Sequence, residues 1–256
     1  MQSESASLLG RGEELAALGR AVEAARQGRG SFTLLSGEPG IGKSALARAF
    51  AERAADEGLI VAWGRAWEAG GAPPFWPWIE VLRQCLRARG EQPLPDVPNL
   101  GALLGLVPEL GQRDPRLTPL PALDPASMRF QIGDAVAAFL FRAAHDRPLA
   151  IVLEDLHAAD RPSLEALRFV ASRLTGAPLA LIATYRDAEA RLSHETHQLL
   201  ERAARAADRL PLARLDRAAV LELATRSGAP SDASFIDAIA ARTEGNPLFV
   251  IETLRL

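Results

Sequence analysis

Lys43 is the only lysine among the 29 lysine and arginine residues of this 256-residue chain. It lies in Gly37-Glu38-Pro39-Gly40-Ile41-Gly42-Lys43-Ser44, which has the form G-x-x-x-x-G-K-[ST]. That spacing suits one chemistry. The glycines turn successive N–H groups toward a single point, the ammonium neutralises β- and γ-phosphates, and the serine hydroxyl offers a ligand to Mg²⁺. A guanidinium is too wide to lie along the phosphates in this way, so the lone lysine marks the loop. The alternative is a chance glycine turn, for which no strand before and helix after would be needed.

Two further groups could complete such a site. Leu149-Ala150-Ile151-Val152-Leu153 is a continuous apolar run of the kind that forms a central parallel strand, and it ends in the adjacent carboxylates Glu154 and Asp155. At the carboxyl edge of a parallel sheet they would face the ligand crevice. By position, Glu154 is assigned to the metal and Asp155 to the attacking water, an order that a one-residue shift would swap. His157 and Asp160 follow on the same loop, His157 as a hydrogen-bonding residue that orders it. Arg186 ends the run Leu179–Thr184 and could reach a γ-phosphate. The competing reading is a surface arginine paired with Asp187 or Glu189. Gly245-Asn246-Pro247 reads on composition as a helix-start turn.

Ordered elements must hold these groups. A first helix is expected over Gly12–Arg26, from the spacing of Leu15, Leu18, Val22 and Ala25. Phe32–Leu35 is a strand leading into the glycine loop, Ser44–Glu57 a helix leaving it, and Leu59–Trp63 a second strand. From Gly70 to Pro125 the chain carries most of its 18 prolines and the cluster Phe75-Trp76-Pro77-Trp78. It reads as an insertion packed on the sheet, with helices at Trp78–Arg89 and Leu100–Leu110. Pro121–Pro125 is a turn, and Ser127 is expected to cap a helix reaching His145. Beyond it come helices Pro162–Leu174 and Leu192–Ala206 and a short strand Leu210–Leu212. Only helical patterns follow, at Asp216–Ser227, Asp232–Arg242 and Pro247–Leu256. The expected architecture is an α/β P-loop core over residues 1–212, with a Pro-rich helical insertion at about 70–126. A helical lid starts at 213–256, and its last helix, without a stop signal, suggests a truncated unit.

Composition excludes several classes. The net charge of −3 disfavours a dedicated nucleic-acid surface. Cys85 is the only cysteine, which rules out an intramolecular disulfide and a cysteine zinc site, and it reads as a core thiol. Met1-Gln2-Ser3-Glu4-Ser5 lacks the basic start and apolar run of a signal peptide, and no run is long enough to span a membrane. The chain reads as cytoplasmic.

Taken in order, Leu-Gly-Arg-Gly-Glu-Glu-Leu (9–15), the glycine loop, Leu-Glu-Asp-Leu-His-Ala-Ala-Asp (153–160), Ala-Thr-Tyr-Arg (183–186) and Glu-Gly-Asn-Pro-Leu-Phe (244–249) resemble the AAA-type ATPase module of STAND signalling ATPases. The similarity is greatest to the module of large ATP-binding LuxR-type transcriptional regulators. The resemblance implies ATP and Mg²⁺ as ligands and a slow ATPase that switches between ADP-closed and ATP-open states, with self-association in the ATP form. DNA would be reached only through an output domain outside this chain. It places Arg11 near the adenine, Pro247 over the base, and Arg186 as the sensor of the γ-phosphate. Ala158 departs from the family, which often has tryptophan there. Three competitors are a non-hydrolysing nucleotide-gated scaffold, a replication-initiator-type DNA-loading ATPase and a small-molecule kinase.

Overall fold

A computed structural model describes residues 8–68, 71–121 and 123–255. Met1–Ser5, Gly70, Ala122 and Leu256, which enter the readings above, lie outside them.

Five parallel strands form one sheet in the order β2-β3-β4-β1-β5: β1 Ser31–Ser36, β2 Ile60–Arg65, β3 Leu149–Glu154, β4 Leu179–Tyr185 and β5 Asp208–Pro211. Side chains alternate across a strand, so each central strand feeds two cores. On one face Ala150, Val152, Ala180, Ile182 and Leu35 pack against α1 (Gly12–Arg26) and α2 (Lys43–Asp56), with Phe50 and Leu46 filling the gap. On the other, Leu149, Ile151, Leu153, Leu181 and Phe32 meet α3 (Trp76–Ala88), α5 (Pro125–Asp146) and α6 (Arg161–Ala171). The short helix α4 spans Glu109–Arg113. Between β4 and β5 lie α7 (Asp187–Leu192) and α8 (His194–Ala204). Helices α9 (Arg217–Arg226), α10 (Ala233–Thr243) and α11 (Pro247–Leu254) close around a separate cluster that includes Val220, Leu223, Ile236 and Val250. Among the described residues, no helix is long and apolar enough to cross a membrane.

The proline-rich segment protects the edge of the sheet. Strand β2 is outermost, and its outer backbone groups would be unpaired. Helix α3 supplies the missing partners. Gln84 accepts from Trp63 N–H at 3.1 Å and donates to Trp63 O at 2.6 Å, while Glu80 accepts from Arg65 N–H at 2.8 Å. The approach is so close that a Cβ on Gly64 would stand 2.1 Å from Pro77 O. Phe75 and Trp78 are buried in the core between α3 and α6, and Trp78 Nε1–H donates to Ser163 O at 2.9 Å.

Three local expectations change. Ser127 does not cap α5; Asp124 does, its carboxylate accepting from the N–H groups of Ala126 and Ser127 at 3.0 Å each, with Pro125 at the first turn. The single helix over Leu100–Leu110 is instead a 3₁₀ turn at Leu100–Leu103 followed by α4, because Pro108 lacks an N–H and disfavours helical backbone before it. The helix expected over Leu192–Ala206 starts instead at His194, because Ser193 is extended and its hydroxyl accepts from Thr196 N–H; the short helix α7 that precedes it was not expected.

Cys85 lies within the α3 core, and burial pushes its thiol up to about 12. The native chain is expected to resist a thiol-reactive disulfide reagent at pH 8, releasing one equivalent only on denaturation. The folded pKa is raised, so the unfolded thiol ionises first. This contribution to stability is intact below about pH 8.5 and is lost as pH rises toward 12. A fast-reacting native thiol would show that α3 opens readily.

Candidate nucleotide site

The glycine loop joins β1 to α2. Gly42 ends it in a left-handed conformation (φ 107°) as the residue before the helix, and Gly40 is also left-handed (φ 77°). A Cβ on Gly40 would come 2.8 Å from Leu248 Cβ and 2.9 Å from Asn246 Oδ1, so the glycine also admits α11 against the loop. Lys43 is only 7% exposed. Its ammonium turns back to donate to Gly37 O at 2.7 Å and Glu38 O at 2.8 Å. Burial, and next the charge of Arg186, hold its pKa below the usual 10.5, with Asp155, Glu189 and Asp187 pulling the other way. A cation that is desolvated and bound only to neutral carbonyls is suited to accept an anion.

In front of the loop lies a cleft of about 390 Å³. Pro39, Gly40, Gly42, Lys43 and Ser44 form its floor, while Arg65, Asp155 and Arg186 line it from the carboxyl ends of three strands. Pro247, Leu248 and Ile251 of α11 form the opposing wall. The structure thus brings together Lys43, Ser44, Asp155, Arg186 and Pro247.

The two carboxylates are presented differently. Glu154 is the last residue of β3 and, by strand alternation, shares the α2 face with Val152 and Ala150. That is the face carrying the loop and Ser44. Asp155 has left the strand with φ 59° and is buried. Its N–H donates to Thr184 Oγ1 at 3.1 Å, tying the ends of β3 and β4 together. Its Oδ2 accepts from Arg65 Nε at 2.9 Å and Nη2 at 2.8 Å. The Asp155 partner, chiefly through the hydrogen bond, raises the pKa of Arg65.

Arg186 lines the cleft and also pairs with local carboxylates, Glu189 among them. Nη2 meets Glu68 Oε1 at 3.0 Å and Nη1 meets Glu189 Oε1 at 3.4 Å. His157 Nε2 reaches the same Glu68 oxygen at 3.2 Å, in keeping with a residue that orders its loop. Glu68, Asp155 and His157 place ligand-type atoms within 4.8 Å of one another. Both carboxylates already hold a guanidinium, so this cluster is a charge-balanced network. Asp160 caps α6, accepting from Ser163 N–H at 2.9 Å and from Phe75 N–H at 3.3 Å.

Arg11, which the resemblance puts near the base, is buried against the loop. It donates to Ile41 O at 3.1 Å and Ala213 O at 2.6 Å and pairs with Glu14. The turn at 244–247 does more than start a helix. Asn246 caps α11 and also donates to Pro39 O at 3.0 Å, while Leu248 N–H reaches Gly40 O at 3.3 Å. Arg214 bridges Glu38 of the loop (2.9 Å) and Glu244 beside the turn. The carbonyls of Pro39, Gly40 and Ile41 are therefore all held from outside the loop.

Sequence reading missed Arg65, Glu68 and Arg214, and gave Asn246 only its place in the helix-start turn. Only Arg65 had a usable signal: extending the second strand by two residues puts it at the carboxyl edge, where ligand-facing residues collect.

Residues 7–182 match the AAA ATPase domain model, and the chain belongs to that family. It is an AAA-type ATPase domain, a class whose phosphate loop binds nucleotide. Among solved structures, the Orc1 protein of Aeropyrum pernix in complex with DNA is similar with a TM-score of 0.52 and 17% identity, over 97% of this chain and 59% of that one. The Orc2 protein of the same organism, in ADPNP–ADP complexes, gives 0.50 and 16%, over 94% of this chain and 60% of that one. A STAND protein with a tetratricopeptide repeat sensor from Pyrococcus horikoshii gives 0.51 and 15%, over 90% of this chain and 28% of that one. At these identities the shared property is the fold. The chain spans about three fifths of the two Aeropyrum proteins and under a third of the STAND protein. No curated protein matches it.

Proposed function

We propose that this domain is a Mg²⁺–ATP-binding switch that hydrolyses ATP slowly to ADP and phosphate. The observation that carries the reading is the cleft on which Lys43, Ser44, Asp155 and Arg186 converge, closed on one side by α11. Lys43 takes the β- and γ-phosphates while the loop N–H groups cradle them. Ser44 and Glu154, on the same face of the sheet, hold Mg²⁺. Asp155 orients the attacking water once Arg65 releases it, and Arg186 reads the γ-phosphate. Pro247 lies over the base, and Arg11 acts by fixing the loop to residue 213. The core is residues 1–212 and the lid 213–256.

Direct hydrogen bonds between lid and loop support the switch. A γ-phosphate contacted by Arg186 changes the relative affinity of two core–lid arrangements, which is what a nucleotide-dependent switch requires. By resemblance, the domain serves a cytoplasmic LuxR-type transcriptional regulator that self-associates with ATP bound and meets DNA through a separate output domain.

Purified chain with Mg²⁺ and ATP is expected to release phosphate at roughly 10⁻⁴–10⁻² s⁻¹, the range of switch-type P-loop proteins without a helper protein. Asp155→Asn should abolish release while ATP still binds. Tight binding with no release by the native sequence would identify the non-hydrolysing scaffold instead.

A further inference from the structure

We propose that Glu68 is a positioning residue that holds Arg186 in its phosphate-free orientation and thereby sets the preference of the site for triphosphate over diphosphate. The inference rests on the reading above, in which Arg186 meets the γ-phosphate.

Each of the three cations Lys43, Arg65 and Arg186 already has a partner, and for the two arginines it is a carboxylate. Lys43 is held by loop carbonyls, Arg65 by Asp155, and Arg186 by Glu68 and Glu189. An incoming polyphosphate must therefore exchange with these partners. Glu68 stands apart from the others because it comes from the loop after β2 and no role in catalysis or binding uses it. Its carboxylate also has two partners. One oxygen, Oε1, accepts from Arg186 Nη2 at 3.0 Å and from His157 Nε2 at 3.2 Å, and the His157 side chain is buried. A second donor on the same oxygen, carried by a buried ring, separates this contact from a pair with a single partner. Groups following β2, β3 and β4 thus meet at one carboxylate oxygen.

A γ-phosphate competes with Glu68 for Arg186. A diphosphate has no group at that position and leaves the pair intact. The pair therefore opposes ATP selectively. The Glu68 side chain is 48% exposed, so it can turn toward solvent without opening the core.

The test is the ratio of ADP to ATP dissociation constants, measured with Mg²⁺ by calorimetry for the native chain, Glu68→Gln, Arg186→Ala and the double variant. Glu68→Gln is expected to raise the ratio by roughly two- to fivefold, the range for a partly exposed ion pair. In the Arg186→Ala background the same change should leave the ratio where Arg186→Ala put it. Glu68→Ala should repeat the effect, and unchanged thermal unfolding would show that folding is not the cause. A ratio that stays constant or falls in Glu68→Gln overturns the proposal, a fall meaning that Glu68 orients Arg186 toward the phosphate. A native chain that fails to bind ATP removes the nucleotide reading and this proposal together. Native binding with an unmoved ratio removes this one alone.

Discussion

Replacing Lys43 with alanine is expected to weaken Mg²⁺–ATP binding by roughly 10- to 100-fold, the loss of a charge-assisted hydrogen bond in a desolvated site. The native ammonium is buried, its pKa is lowered by that burial, and its hydrogen-bond partners among the described residues are the carbonyls of Gly37 and Glu38. A polyphosphate restores a negative partner to a cation that has lost its water. The variant loses this gain but keeps the loop glycines and their N–H groups, so residual binding should persist. The measurement is the rise in unfolding temperature with saturating ATP, present in the native chain and largely absent in the variant. Lys43→Arg should behave like the alanine variant, because the wider guanidinium does not fit along the phosphates. Equal affinity in native and alanine proteins would overturn the assignment of the cleft as a nucleotide site.

Trp78→Ala is expected to destabilise the domain by about 3–5 kcal/mol, lowering its unfolding temperature by roughly 6–20 °C. Trp78 is 1% exposed, and its indole N–H donates to Ser163 O, so the truncation leaves both a cavity and an unpaired carbonyl. The effect should reach beyond the local core. Helix α3 carries the Gln84 and Glu80 side chains that satisfy the outer edge of β2, and β2 ends in Arg65. Exchange of the Trp63 and Arg65 amide hydrogens should therefore accelerate in the variant more than that of the β4 amides. A loss well under 1 kcal/mol would mean that the insertion is only loosely attached to the sheet.

Much of the domain was legible in order along the chain. The loop glycines, Lys43 and Ser44 form a contiguous pattern whose function depends on spacing alone. The apolar runs of β3 and β4 identified themselves because strands buried on both faces contain little else. Helix limits were less legible where a cap or a break decided them. Asp124, Pro108 and Ser193 each act through local backbone geometry that periodicity does not report.

The chain's one-dimensional order was enough to determine an AAA-type core with a phosphate loop and a carboxylate pair at a strand end. Tertiary structure alone decided which partners those groups keep. Arg65 holds Asp155 across 90 residues of chain, Glu68 holds Arg186, and Asn246 reaches Pro39 across 207 residues. No spacing rule anticipates such pairs. The first two exist because a parallel sheet gathers the carboxyl ends of distant strands along one edge, and the third because α11 packs against the glycine loop. Along that edge Asp155 and Arg186 take the counter-charges that the fold sets beside them, while Lys43 keeps only carbonyl partners among the described residues.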